Sequence, residues 1–413
     1  MSIIHEIFRD SDRHLVAQIG NVSIDVQILK TYWTYNLIFM LPFFSKYKPI
    51  VGLDIGTTAI RAVEIRPAGS GWRLHRWGNQ PLPPTAIEDG KVKNSEEVIS
   101  ALRTLFEKTG FSTKRVAMSV GGPSVVIKSI QLPFMTEMEL EDQISLEAEE
   151  HIPFGIDDVN LDFQILNQDQ EQLNVLLTAC KKEPLEERLK IIEGAGLVAS
   201  VCDLEICCLI NAHDAFIAPG SIGLGNKKKK KKSKKKAEAE QEKPDSKTVV
   251  ALVNCGGSYL NVAIFLGEIP VYTRDYNVGV RQLIQQISQE LEVPLADAEQ
   301  LLQGGKTPEE KEVLAEHLPP FEEQLASTIK QSINFYKQGN SGHPVQELTI
   351  SGPCTHIGGL DQRLSEKLEI SVKFSNPLSG LKPGSGSGCQ PMSKSSASRF
   401  MLALGLALRG DMP

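Results

Sequence analysis

The 413 residues exceed what one hydrophobic core usually supports, and a hydrophobic content of 41% is ordinary for a globular chain, so two domains are expected. The net charge of −7 hides nine lysines at 227–232 and 234–236 within an otherwise acidic chain, which argues against nucleic acid as a general partner. Seven cysteines, odd in number and without a CxxC pair, read as thiols in a reduced cytosol and not as a disulfide framework or zinc site.

Residues 1–48 are read as an amino-terminal extension, mis-started or disordered, because Met40 opens a second start at MLPFFSKYKPIVGLDIG. Two other readings stand beside it: an ordered extension with a strand near 22–29, and, ranked last for want of a polar face, an aromatic stretch of Tyr32, Trp33, Tyr35, Phe39, Phe43 and Phe44 lying on a membrane surface. No basic start precedes an apolar block, so a secretory signal is not expected. The apolar runs 32–44 and 400–408 are shorter than the about 20 residues that cross a bilayer.

From Pro49 the pattern becomes α/β. Strand 49–55 runs through a Gly-Thr-Thr turn into strand 59–66, then a third strand at 72–77 and a helix at 95–108. Strands follow at 115–120 and 125–132, the latter ended by Pro133, and a helix at 137–151 stops before Ile152-Pro153. Strands 159–166 and 173–180, a helix at 184–194, a short strand into Asp203 and a helix through Asn211 complete the first half. Residues 219–247 hold glycines, the lysine run and AEAEQEKPDSK, a block of like charges read as a disordered linker. The alternative role for these lysines is attraction to an anionic membrane leaflet, about 1 kcal/mol for each. The second half restarts with strands 249–254, 259–265 and 269–272. Helices 279–291, 294–302 and 308–337, strand 347–351, helix 358–368, strand 370–374 and a terminal helix 397–409 follow.

LDIGTTAIRAVEI and VNCGGSYLNVAIF repeat one element at an offset of 200 residues, from Asp54 to Asn254. Phosphate must approach consecutive backbone N–H groups closely, and a Cβ obstructs it, so small turn residues suit that task. Gly56, Thr57 and Thr58 are therefore expected to form one phosphate cradle, and Gly256, Gly257 and Ser258 the other, the two facing each other across one polyphosphate. Asp54 is placed to hold Mg2+ or its waters. One such turn alone is weak evidence, since simple hairpins share it, and the repetition strengthens it. Gly352, Gly358 and Gly359, after strand LTIS, offer bare backbone for an adenine or ribose; an ordinary strand-to-helix connection is the alternative. Gly305-Lys306-Thr307 is rejected as a P-loop, because Gln300 stands where glycine is required and a helix precedes it. The eight histidines lack metal-ligand spacing. Glu147, Glu149 and Glu150 read as a solvated helix face.

The segments YKPIVGLDIGTTAIRAVEI, SLEAEEHIPFGIDDVNLDFQIL, GAGLVASVCDLEICCLINA and LTISGPCTHIGGLDQRL, in this order, resemble the actin-like ATPase superfamily and, within it, the PilM family of type IV pilus assembly proteins, relatives of FtsA. The likeness covers 43–409 apart from the lysine insert. The EAEEHIPF stretch sets it apart from sugar kinases and chaperones.

The resemblance implies an α/β, actin-like (ribonuclease H-like duplicated) two-lobed fold with an inserted small α+β subdomain. The first lobe would be 49–120 with 198–218, the subdomain 121–197, and the second lobe 248–413, its last helix packing back on the first. It also implies ATP and Mg2+ in the interlobe cleft and a place at the cytoplasmic face of the inner membrane. The partners it implies are the tail of a PilN-like membrane protein and the pilus motor and platform proteins, with self-association left open. Asn254 departs from the pattern, which has aspartate there. An amide brings no charge to Mg2+ or to an attacking water, so binding survives the change better than hydrolysis. Asp203 is then the remaining carboxylate to place that water, with a helix N-cap as the alternative role.

Overall fold

The strand Val51–Ile55 (β3) is buried at every position, as a central strand covered on both faces must be, and it turns at Gly56–Thr58 into Ala59–Ala68 (β4). The computed structural model describes residues 16–19, 22–25 and 48–410, except 70, 89, 169–170, 220–248, 268, 340–341 and 385–390. The amino-terminal extension, apart from a hairpin of Val16–Ile19 (β1) and Val22–Asp25 (β2), and the lysine-rich linker thus lie outside the described residues.

The chain divides into two units: residues 1–208 with 383–391 and 402–413, and residues 209–382 with 392–401. In the first, β4 continues into Gly71–Pro81 (β5), and the two-residue strands Ile87–Glu88 (β6) and Lys91–Val92 (β7) lead to the helix Ser95–Thr109 (α1). Asn94 caps α1 by accepting the Glu97 N–H, and Gly110, left-handed at φ 62°, ends it. Strand Arg115–Val120 (β8) pairs parallel with β3.

The chain then forms Val125–Pro133 (β9), the helix Glu137–His151 (α2), Val159–Gln168 (β10) and Gln172–Lys181 (β11). These three strands make an antiparallel sheet in the order β10-β11-β9. Leu140, Ile144 and Ala148 of α2 pack with Ile130, Leu132, Leu173, Val175 and Leu177 in a core of their own. A capping box between Thr136 and Glu139 starts α2.

Helix Lys182–Gly194 (α3) and strand Val198–Leu204 (β12) return to the main sheet, in which the strands of this unit run β12-β8-β3-β4-β5. The helix Glu205–Ala212 (α4) runs into a π-helical turn, His213–Ile217. His213 is 5% exposed, and burial lowers its pKa to about 4 against the attraction of Glu347.

The second unit repeats the design. Strands Val249–Cys255 (β13), Leu260–Leu266 (β14) and Ile269–Tyr276 (β15) form an antiparallel meander. After helices Val280–Glu290 (α5), Leu295–Leu301 (α6) and Pro308–Gly339 (α7), strands Glu347–Ser351 (β16) and Ser371–Phe374 (β17) flank the helix Leu360–Leu368 (α8) in sequence. The order β15-β14-β13-β16-β17 is that of the first unit strand for strand: a central first strand, its meander on one side, two parallel strands on the other. Leu325, Ile329, Ile333 and Tyr336 of α7 cover this sheet at helical spacing.

A single helical turn Lys394–Ala397 (α9) precedes the helix Met401–Ala407 (α10). Within the first unit, α10 lies so close to β3 that a Cβ on Gly52 would stand 1.9 Å from the Ala403 carbonyl oxygen. A Cβ on Gly405 would meet the Cys208 carbonyl oxygen at 2.0 Å. Among the described residues no helix is long and apolar enough to cross a membrane, and the six described cysteines are free.

Candidate functional site

At the first turn the Gly56 N–H closes onto the Ala59 carbonyl at 3.2 Å, so Gly56 shapes the turn and does not donate outward. The N–H groups of Thr57 and Thr58 have no partner among the described residues. The antiparallel register sets Asp54 opposite Arg61, a residue that the reading of small turn residues passed over. Its signal was present in the sequence: a cation seven residues beyond Asp54 in a strand that is otherwise apolar up to Val63.

Arg61 is 3% exposed, and its Nη1 lies 3.6 Å from Asp54 Oδ2. A Cβ on Gly56 would come within 3.3 Å of the same nitrogen, so the guanidinium reaches back beneath the turn. Arg61 Nε and Nη2 and the Thr57 Oγ1 are buried with no hydrogen-bond partner. Leaving such donors unpaired costs about 1–3 kcal/mol each, which an acceptor at this turn would recover. Burial raises the Asp54 pKa above its ordinary value, against the opposing pull of Arg61 and Arg188.

The second turn shares the register but not the chemistry. Asn254 stands opposite Asn261. Asn254 Nδ2 donates to Asn261 Oδ1 at 3.1 Å, Asn254 Oδ1 accepts from the Ser351 hydroxyl at 3.2 Å, and Asn261 Nδ2 donates to Asp275 Oδ1 at 2.9 Å. Here the Gly256 N–H closes onto the Tyr259 carbonyl at 2.8 Å. The carbonyls of Gly256 and Gly257 accept from the N–H groups of Val280 and Arg281 at the start of α5, at 3.1 and 2.9 Å. The turn is thus braced from behind, and the N–H groups of Gly257 and Ser258 are left without a partner among the described residues.

The three later glycines, expected to offer backbone to an adenine or ribose, are each set in a tight or left-handed local geometry. Gly352 sits at φ 93°, where a Cβ would meet the Cys255 carbonyl oxygen at 2.4 Å and Asn254 Oδ1 at 2.9 Å, so it belongs to the surroundings of the second turn. Gly358 donates to the Leu302 carbonyl, and a Cβ there would face the Gln303 carbonyl oxygen at 3.0 Å. Gly359, at φ 71°, forms the residue before α8. The Gly305-Lys306-Thr307 stretch is a helix start: the Glu310 N–H donates to Thr307 Oγ1 at 3.1 Å, and the Glu310 carboxylate accepts from the Thr307 N–H at 3.0 Å.

Asp203 ends β12 at the level of Ser119 on β8, and Leu53 pairs with Met118 one residue earlier, so Asp203 and Asp54 stand two strands apart, roughly 10 Å, at corresponding strand ends. Asp203 is fully buried. Its Oδ2 accepts from Arg409 Nε at 2.6 Å, with Arg409 Nη2 at 2.5 Å, and its Oδ1 accepts from the Leu204 N–H at 2.8 Å. Both oxygens are occupied by the protein itself. Neither binds the N–H two or three residues on that a helix N-cap engages.

The family model described as type IV pilus assembly protein PilM matches residues 52–222 and 229–411. Among solved structures, the chain is similar to the PilM-PilN type IV pilus biogenesis complex, with 21% identity, 89% of this chain and 100% of that chain covered, and a TM-score of 0.71. It is also matched by the ethanolamine utilization protein EutJ from Carboxydothermus hydrogenoformans, at 15% identity, 89% and 91% coverage and a TM-score of 0.49. MreB 5 of Spiroplasma citri bound to AMPPNP follows at 11% identity, 88% and 96% coverage and a TM-score of 0.45.

Proposed function

Because the chain belongs to the PilM family of type IV pilus assembly proteins, we propose that it is an ATP-binding scaffold which recruits the cytoplasmic tail of a PilN-like membrane protein. The fold is the actin-like one, a ribonuclease H-like five-stranded unit used twice. The observation that carries nucleotide binding is the first turn, where two backbone N–H groups, the Thr57 hydroxyl and two guanidinium nitrogens of Arg61 lack an acceptor. Phosphate oxygens supply acceptors of that kind. The second turn, by its free Gly257 and Ser258 N–H groups, carries backbone donors alone.

Hydrolysis is weak or absent in this reading. It needs a carboxylate free to position water near the terminal phosphate. Asp203 is engaged by Arg409, and Asn254 is neutral and held by Ser351 and Asn261. ATP would then act by changing the populations of states that differ in affinity for the tail. Asp54 is the one turn carboxylate to which an accompanying Mg2+ would be referred.

The similarity to the PilM-PilN complex supports the partner; attachment through it at the cytoplasmic face of the inner membrane, and contact with pilus motor and platform proteins, belong to the same proposal. The test is titration of the full chain with a synthetic PilN-like tail peptide, with and without magnesium-ATP. Peptide affinity that differs between the two conditions supports the scaffold, and absence of peptide binding in every nucleotide state overturns the partner.

A further inference from the structure

We propose that the first turn binds phosphate through the Arg61 guanidinium without needing a divalent cation. This rests on the nucleotide-binding reading above and specifies the chemistry of that site. Magnesium keeps most of its waters and is usually held by one or two carboxylates together with phosphate oxygens. The first turn offers one carboxylate, and its Oδ2 faces Arg61 Nη1 at 3.6 Å. A metal ion approaching Asp54 would meet a buried, permanently charged guanidinium. The residues present fit an anion better than a cation.

The geometry of the guanidinium supports the same assignment. Nη1 is the nitrogen turned toward Asp54 and Gly56, while Nε and Nη2 are the pair without partners. Those two nitrogens form the side-on edge of the arginine fork, which matches two oxygens of one phosphate. Asp54 is then a positioning residue: it holds one end of the fork so that the other is presented to the ligand. Thr57 Oγ1, also unpaired, adds a third donor on the same turn.

The second turn is an internal control. It has the same strand register, with Asn254 and Asn261 where the first has Asp54 and Arg61, and the two amides bond to each other and to Ser351 and Asp275. The backbone N–H donors are common to both turns, and what the first turn adds is the unpaired side-chain donors of Arg61 and Thr57. They are buried, so solvent does not satisfy them.

The experiment is calorimetric titration of the full chain with ATP in magnesium and in EDTA, with tripolyphosphate as a competitor lacking base and sugar. The native protein should bind ATP in EDTA within about threefold of its affinity in magnesium, and tripolyphosphate should compete without metal. Arg61→Gln should lower the affinity in EDTA by about tenfold or more. Arg61→Lys keeps the charge and loses the fork, and Thr57→Val removes only the hydroxyl; each should weaken binding by a smaller factor, and both keep the proposal testable if Arg61→Gln does not fold. Binding that requires magnesium and is indifferent to Arg61→Lys and Thr57→Val overturns this inference and leaves the nucleotide reading standing. No ATP binding by the native chain in either condition overturns both.

Discussion

His213 is a neutral imidazole built into the π-helical turn, with its Nδ1 unpaired. In the unfolded chain the ring takes up a proton near pH 6.5, in the folded chain only near about 4. Between these values the unfolded state binds more protons, so this residue withdraws stability as the pH falls from 6.5 toward 4, by on the order of 3 kcal/mol in all. Replacing His213 by Phe should flatten that part of the pH profile, measured as denaturant midpoints between pH 4 and 7. At this scale the sequence was only partly legible. The two hairpins that carry Asp54 and Asn254 could be read because their signal is local and repeated. The partner of Asp203 could not, since Arg409 lies 206 residues away and no local pattern announces the pair.

The contact of β3 with α10 depends on a missing side chain. Gly52→Ala would place a methyl group against the Ala403 carbonyl and the Ala407 nitrogen, at 1.9 and 2.5 Å from ideal positions, and both are backbone atoms that cannot rotate away. The expected cost is about 3 kcal/mol or more, read as a lowered midpoint of chemical denaturation. Gly71→Ala, with nothing within 4 Å of the new methyl, should change it by no more than about 0.5 kcal/mol. Most strands and helices were legible, because buried strands read as apolar runs and α7 carries its helical stripe. Boundaries moved where tertiary bonds intervened. The single helix expected at 397–409 breaks at the 3-10 turn Ser398–Phe400, where the Ser398 carbonyl accepts the Gly352 N–H and its hydroxyl meets Ser375. The helix expected from Gly358 begins at Leu360, because Gly359 occupies the left-handed region.

Over the whole molecule, neither unit is a continuous stretch of chain. The path leaves the first unit after Cys208 and returns to it at 383–391 and 402–413. Residues 1–208 expressed alone would lack Ala403 and Ala407 against Gly52 and would leave the Asp203 carboxylate buried without Arg409. Losing one partner of a buried ion pair costs about 3–5 kcal/mol, a large part of the stability of any domain. That fragment should show no cooperative thermal transition by circular dichroism, and co-expression with a segment spanning 392–413 should restore one.

The same path sets a clock on biosynthesis. Arg409 is made 201 residues after Cys208, which at ribosomal speeds of 5–20 residues per second is a delay of roughly 10–40 s. Throughout that interval the nascent first unit carries an open groove over Gly52 and an unmatched acid at Asp203. Its dependence on chaperones should therefore be greatest before the stop codon is reached, and a slower ribosome would lengthen it.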